Sequence, residues 1–204
     1  MNDRASTFET DEYVMAIVRD DNDDTPDRRS RMLESAKDAF LRFGFERSSM
    51  ADIAAGAGVS RTALYHYFPS KEEVLRSVVE DLNAASLAAA REALEKSATL
   101  EAALRGLLDA KFGRVLARIG QSPHGVELVD ATHRLTGSLI QASDEAFHAL
   151  VVKALRRHGR GENADAVADT LIAATKGLMR SAEAHVPKAT FDKRLRRLVA
   201  WVAA

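Results

Sequence analysis

Arg61, Thr62, Tyr65 and His66 are the side chains best placed for chemistry in this sequence. Separations of three and four put them on one face of a helix. Val59, Leu64 and Phe68 fall on the opposite, inward face. The outer set suits a nucleic-acid groove. Arginine makes paired hydrogen bonds to guanine, and threonine donates, accepts or touches a thymine methyl. Arg61, Thr62 and His66 are therefore candidates for reading bases, and Tyr65 and Lys71 for reaching phosphates. Ser49 opens the preceding helix, whose free backbone N–H groups offer a further phosphate contact. Lys71 stands beside a helix N-terminus, an unfavourable place for a cation unless an anion lies near it.

Two short helices must position these groups. Ser49 caps the first, with Asp52 three residues on, and it runs to about Gly56. A break at Gly56-Ala57-Gly58 leads to Ser60, which caps the second through about Tyr67. Two short helices joined by a glycine-containing turn make a helix-turn-helix. Ile53, Ala54, Val59, Leu64 and Phe68 supply its small core, with Ala54 and Gly58 small where two backbones must approach closely. Tyr65 and Tyr67 cannot share the outer face, so Tyr67 is expected to pack on the body. Upstream, Met32, Leu33, Ala36, Phe40 and Phe43 form an apolar stripe that ends at Gly44. Downstream, Ser70 and Glu73 spell a capping box that opens a long helix.

The run Ala51-Asp52-Ile53-Ala54-Ala55-Gly56-Ala57-Gly58-Val59-Ser60, followed by Leu64-Tyr65-His66-Tyr67-Phe68-Pro69-Ser70-Lys71-Glu72, resembles the N-terminal domain of the TetR/AcrR family of regulators. The likeness extends from Arg31 to Leu75. It implies a homodimer that binds a palindromic operator, usually as a repressor. It also implies a helical C-terminal ligand pocket and a four-helix dimer interface built from the last two helices. One departure stands out. Thr62-Ala63 replaces the Gly-Thr that many members carry before Leu-Tyr, so a hydroxyl contact at position 63 is lost.

Composition agrees with an all-α fold. Apolar residues make up 46% of 204, aromatics only 6%, and prolines number four. Alanine and leucine dominate and favour helix. Periodicity beyond residue 70 gives a long helix with Val74, Leu75, Val78, Val79 and Leu82, then one carrying Leu100 to Ile119. A short helix from Pro123 to about Arg134 follows. One with Ile140, Phe147 and Leu155 comes next, then helices over 163–185 and 190–203. Nine helices and no strands are expected. Residues 1–27 read as an acidic arm of net charge -7, residues 28–71 as the DNA-binding domain at +4, and residues 72–204 as the effector and dimerisation domain. Positive charge concentrated in the middle segment fits attraction to phosphate. The arm is expected to weaken non-specific DNA binding by lying across that basic face.

With no cysteine, disulfides and thiolate sites are excluded. No signal sequence or membrane span is apparent, so a cytoplasmic location is expected. No nucleophile motif, phosphate loop or zinc-protease pattern is present. Neither an enzyme nor a cofactor is expected. His124, Glu127, Asp130 and His133 recur at steps of three, and Asp144 and His148 at four, which raises a metal-sensing alternative. Steps of three drift around a helix, so the four cannot converge on one ion. Another alternative is an interaction protein that has kept the fold and lost DNA binding. Within the C-terminal part, Asp130, His133, Gln141 and His148 are candidate polar contacts for a small-molecule effector, with Phe112 and Phe147 lining the pocket. Ala173, Ala174, Gly177 and Ala182 would let dimer helices approach, with Leu198 and Trp201 anchoring the end.

Overall fold

The structure, a computed structural model, describes residues 26–179 and 186–204. Most of the acidic arm, Ala182 and the end of the expected 163–185 helix lie outside the described residues. Eight helices and no strand are found among those described: α1 Pro26–Phe43, α2 Met50–Ala57, α3 Arg61–Tyr67, α4 Lys71–Lys96, α5, α6 Gly125–Arg157, α7 Ala164–Met179 and α8 Lys188–Ala203. Helix α5 joins Leu100–Leu108 and Arg114–Ile119 through a π-helical segment, Asp109–Gly113. The two helices expected over 123–134 and 140–158 are one helix, α6, kinked at Thr136 (φ -132°, ψ 24°). The Thr136 hydroxyl donates to the Thr132 carbonyl at 2.7 Å, and Arg76 donates to the Leu135 carbonyl at 3.4 Å. Such side-chain competition for main-chain acceptors bends a helix without ending it.

Two apolar cores divide the chain. The first joins α1, α2 and α3 to the opening turns of α4, through Met32, Phe40, Ile53, Leu64, Phe68 and Val74. It also recruits Leu128 and Ala131 from the start of α6. The second lies among α4, α5, α6, α7 and α8, around Leu104, Leu107, Phe147, Leu155, Leu171 and Phe191. Helix α4 enters both cores, with Val74 in one and Leu94 in the other. It therefore ties the N-terminal unit to the C-terminal one mechanically.

Caps set most of the boundaries. The Ser49 hydroxyl accepts from the Asp52 N–H, and the Asp52 carboxylate accepts from the Ser49 N–H at 2.9 Å, a complete capping box. At Ser70 the hydroxyl accepts from the Glu73 N–H, but the Glu73 carboxylate turns to Arg76 at 3.4 Å. The reciprocal half expected there is replaced by an ion pair. Phe43 also departs from the apolar stripe. It is exposed beneath the Arg42 guanidinium, and Phe45 fills the core instead. Helix α1 ends at Phe43 and Gly44 adopts φ +82°, which swings the next side chain inward.

The close approach expected at Gly58 is found at Gly56. A Cβ at Gly58 would meet nothing within 4 Å; this glycine serves the left-handed turn at φ +66°. A Cβ at Gly56 would lie 2.3 Å from the Ser35 hydroxyl, which donates to the Ile53 carbonyl at 2.8 Å. Gly56→Ala is expected to destabilise by about 1 kcal/mol, because the clash and the lost hydrogen bond outweigh the helix-propensity gain. Thermal denaturation of Gly56→Ala against Ser35→Ala/Gly56→Ala checks this. The double variant, with no hydroxyl to clash, should be the more stable of the two.

Candidate nucleic-acid interface and effector domain

The α2–α3 corner is fixed by its turn and core. Gly58 returns its N–H to the carbonyls of Ala54 and Ala55, and the Val59 N–H reaches the Ala54 carbonyl at 3.0 Å. The Ser60 hydroxyl accepts from the Ala63 N–H at 3.0 Å and starts α3. Ile53 and Leu64 are fully buried between the two helices, and Val59 is half-buried. Arg61, Thr62, Tyr65 and His66 are all exposed on the far side of α3. Arg61 lies over the Tyr65 ring at 5.5 Å, and its guanidinium donates to the Tyr65 hydroxyl at 3.5 Å. Tyr67 is half-buried against the N-terminal core, with its ring centroid 6.3 Å from that of Phe68.

Ser49, Arg61, Tyr65 and Lys71 line one cleft of about 480 Å³ between the start of α2 and α3. Four of the six residues chosen from the sequence thus meet at one place, with Thr62 and His66 on the adjoining surface. Ser49 is exposed at the N-terminus of α2, where main-chain N–H groups and the helix dipole favour an anion. Its capping partner Asp52 has its carboxyl held below the usual range, first by the Ser49 hydroxyl and then by the Ser49 N–H.

Lys71 is the exception to the sequence reading. Its ammonium donates to three main-chain carbonyls, Phe45 at 2.6 Å, Glu46 at 3.1 Å and Ser48 at 3.0 Å. An ammonium has three donors, so all are used inside the protein, and the nearby anion that the sequence called for is a cage of carbonyl dipoles. The same turn is gripped from the other side by α6. Glu127 accepts the Glu46 N–H at 2.9 Å and Arg134 pairs with the Glu46 carboxylate at 3.0 Å, while just before α6 the Ser122 hydroxyl donates to the Leu41 carbonyl of α1 at 2.6 Å. The His124 ring nitrogens face Arg47 at 3.1 and 3.3 Å. The residues behind the metal alternative are thus partly spent on the domain junction. Among the described residues, no three His, Asp or Glu side chains gather around a common point.

The C-terminal half does not bring the candidate ligand residues together at one place. Phe112 and Phe147 are buried and stack edge to face at 5.7 Å. Asp130, His133 and Gln141, however, are exposed outside that interior, and Gln141 donates to Glu145 at 3.1 Å along its own helix. His148 is half-buried, with Nε2 3.1 Å from Asp169. The polar group that does reach the aromatic pair is Lys111, which the sequence reading passed over. Only 9% exposed, it donates to the Ser143 hydroxyl at 2.6 Å and lies 3.1 Å from Asp144. Burial lowers the pKa of its ammonium, and Asp144 offsets this only in part. Burial also acts to raise the Asp144 carboxyl, but hydrogen bonds from Lys176 and Lys111 outweigh it and hold the group below its ordinary value. The asymmetry has a simple cause. Asp144 sees two cations, whereas Lys111 sees one anion and a second cation. A signal for Lys111 existed: it falls between Leu107, Leu108 and Phe112 on the apolar stripe of α5.

Residues 32–78 match the family of bacterial regulatory proteins designated tetR. The HTH-type transcriptional regulator TtgR of Pseudomonas putida is 34% identical over 67 residues, covering 33% of this chain and 32% of that protein. The HTH-type transcriptional repressor KstR2 of Rhodococcus jostii is 36% identical over 87 residues, covering 41% and 43%. The chain thus matches about a third to two-fifths of the length of these curated relatives. A TerR/AcrR-family transcriptional regulator from Aquifex aeolicus shares the fold at TM-score 0.67 and 20% identity, across 86% of this chain and 99% of that one. A TetR-family regulator, PfmR from Thermus thermophilus, does so at TM-score 0.61 and 22% identity, across 83% and 96%. No helix among the described residues is long and apolar enough to cross a membrane. Residues 32–78 thus carry the N-terminal domain of the tetR family of bacterial regulatory proteins, and the chain as described has the fold of TetR/AcrR-family regulators.

Proposed function

We propose that this chain is a transcriptional repressor that binds a palindromic operator as a homodimer and releases it when a small molecule occupies the C-terminal half. The supporting observation is the outer face of α3. Arg61, Thr62, Tyr65 and His66 stand exposed on a helix held by a buried core, beside the start of α2. That is the geometry by which a second helix enters the major groove while the first rests on the backbone. Arg61, Thr62 and His66 read bases, and Tyr65 and Ser49 contact phosphates. Ligand shifts the population toward a spacing of the two α3 helices that no longer matches successive major grooves, about 34–36 Å apart. Selecting bound fragments from random genomic DNA tests the reading. An enriched inverted repeat is expected; a protein that enriches no sequence refutes it.

Dimerisation is assigned to α7 and α8. Ala173 and Gly177 are exposed on α7, and Trp201 on α8 is 80% exposed in the isolated chain. A large aromatic ring left in water beside half-buried Leu198 and Val202 suits the centre of an interface. Trp201→Arg is expected to weaken self-association about thirtyfold or more, the effect of losing one interface hot spot. Sedimentation over a concentration series measures it. An unchanged dimer constant would move the interface elsewhere.

A further inference from the structure

The polar cluster around Lys111 lies among α5, α6 and α7, outside the helix-turn-helix, and its composition is unusual for an interior. Lys111 and Lys176 share the single carboxylate of Asp144, at 3.1 and 2.7 Å. On the other side of the π segment the balance is reversed: Lys188 has both Asp109 and Asp192. A buried cation is costly unless it is well paired, and Lys111 has half a carboxylate and one neutral hydroxyl. Its ammonium also faces the Phe147 ring at 5.9 Å, next to the Phe112–Phe147 pair. A π segment interrupts α5 here, a rare local geometry that is frequent at functional sites. Side-chain exposure falls along the cluster from Lys176 at 48%, through Asp144 at 29%, to Lys111 at 9%. The cluster therefore runs from a half-exposed cation to a buried one beside the aromatic pair.

We propose that the effector of this chain is an organic anion, a single carboxylate on an apolar body, held by Lys111 and Lys176 with its apolar part against Phe112 and Phe147. This rests on reading the C-terminal half as a ligand-responsive domain. The carboxylate supplies the missing negative charge, and the apolar body gains by leaving water. A neutral or cationic molecule of the same shape gains only the second term. Lys111 thus selects for charge and the aromatic pair for hydrophobicity.

Calorimetric titration of the full-length protein with hexanoate, decanoate and phenylacetate, each beside its methyl ester, tests the proposal. Saturable binding of at least one carboxylate is expected, with its ester weaker by about ten- to a hundredfold, the equivalent of one charge-assisted hydrogen bond. Lys111→Met should lose the same factor while melting no lower than the parent, since it removes a buried charge and leaves Asp144 paired with Lys176. Lys176→Gln, at a half-exposed position, guards against a folding defect and should also weaken the carboxylate. Binding of none of the three acids, equal binding of acid and ester, or an undiminished affinity in both lysine variants overturns the proposal. Enrichment of operator DNA is measured on the same samples. Carboxylate binding without operator binding would refute the repressor reading and leave the site standing. Operator binding with no carboxylate bound would do the reverse.

Discussion

Arg61→Ala/Tyr65→Ala is expected to bind operator DNA about thirty- to a thousandfold more weakly than the parent chain, with no measurable change in thermal stability. One arginine–guanine contact contributes about 1–3 kcal/mol of discrimination, and a tyrosine–phosphate hydrogen bond about 1 kcal/mol. Both side chains are exposed and neither enters the core that holds α3, which rests on Leu64 and Ile53. Surface changes of this kind stay within about 0.5 kcal/mol of the parent stability. The two residues also act on one another. With Arg61 lying over the Tyr65 ring, each restricts the other before DNA arrives. The ordering cost of binding is then partly met in the free protein. Single variants should therefore lose more than independent contacts would, and the double variant less than their sum. Tyr65→Phe keeps the ring under Arg61 and removes only the hydroxyl, so it isolates the phosphate contact. Fluorescence-anisotropy titrations of the four proteins on the enriched operator give the cycle. An unaltered affinity in the double variant would show that α3 is not the reading helix.

Much of the architecture was legible because local chemistry and tertiary structure agree. Serine caps at positions 49, 60 and 70 start three of the helices, and the face Arg61, Thr62, Tyr65, His66 follows from helical spacing alone. The misreadings occur where a long-range neighbour decides. Gly56 and Gly58 look alike in sequence, yet one is small for Ser35, eighteen residues before Ile53, and the other for its own backbone angle. Phe43 and Phe45 exchange places because α1 stops two residues before the second of them. Asp130, His133 and Gln141 were attractive for their polarity, but polarity on a helix usually means solvent, and these are exposed. Lys111 was missed by the same rule applied in reverse. A lysine is read as solvated until its place on an apolar stripe is weighed more heavily than its charge.

Lys71→Met should destabilise the DNA-binding unit by about 2–3 kcal/mol, since three charge-assisted hydrogen bonds vanish together and such losses are not additive. Methionine retains the stem and its contact with Phe45, whose ring lies 4.6 Å from the ammonium, but it has no donor for the carbonyls of Phe45, Glu46 and Ser48. Arginine cannot restore them fully, because a flat guanidinium does not aim three N–H groups at one converging cage. Two roles for Lys71 give different results. A phosphate ligand would leave stability unchanged and reduce the slope of log affinity against log salt by about 0.9. A structural clamp lowers the melting temperature and the operator affinity together and leaves the slope nearly intact. The second outcome follows from the geometry and has a functional consequence. The turn that Lys71 holds leads directly into Ser49 and α2, and Lys71 is the first residue of α4, whose far end packs in the C-terminal core through Leu94. A displacement of α4 would thus be transmitted through the Lys71 ammonium to Ser49 and the start of α2. Glu127 of α6, bonded to the Glu46 N–H, takes hold of the same turn from the opposite side. With the turn gripped by both helices, a ligand that moves one relative to the other repositions α2 and α3 as a unit. On the proposed ligand-responsive reading, Lys71→Met predicts one further loss: even where the variant still binds operator, its affinity should respond less to the releasing ligand.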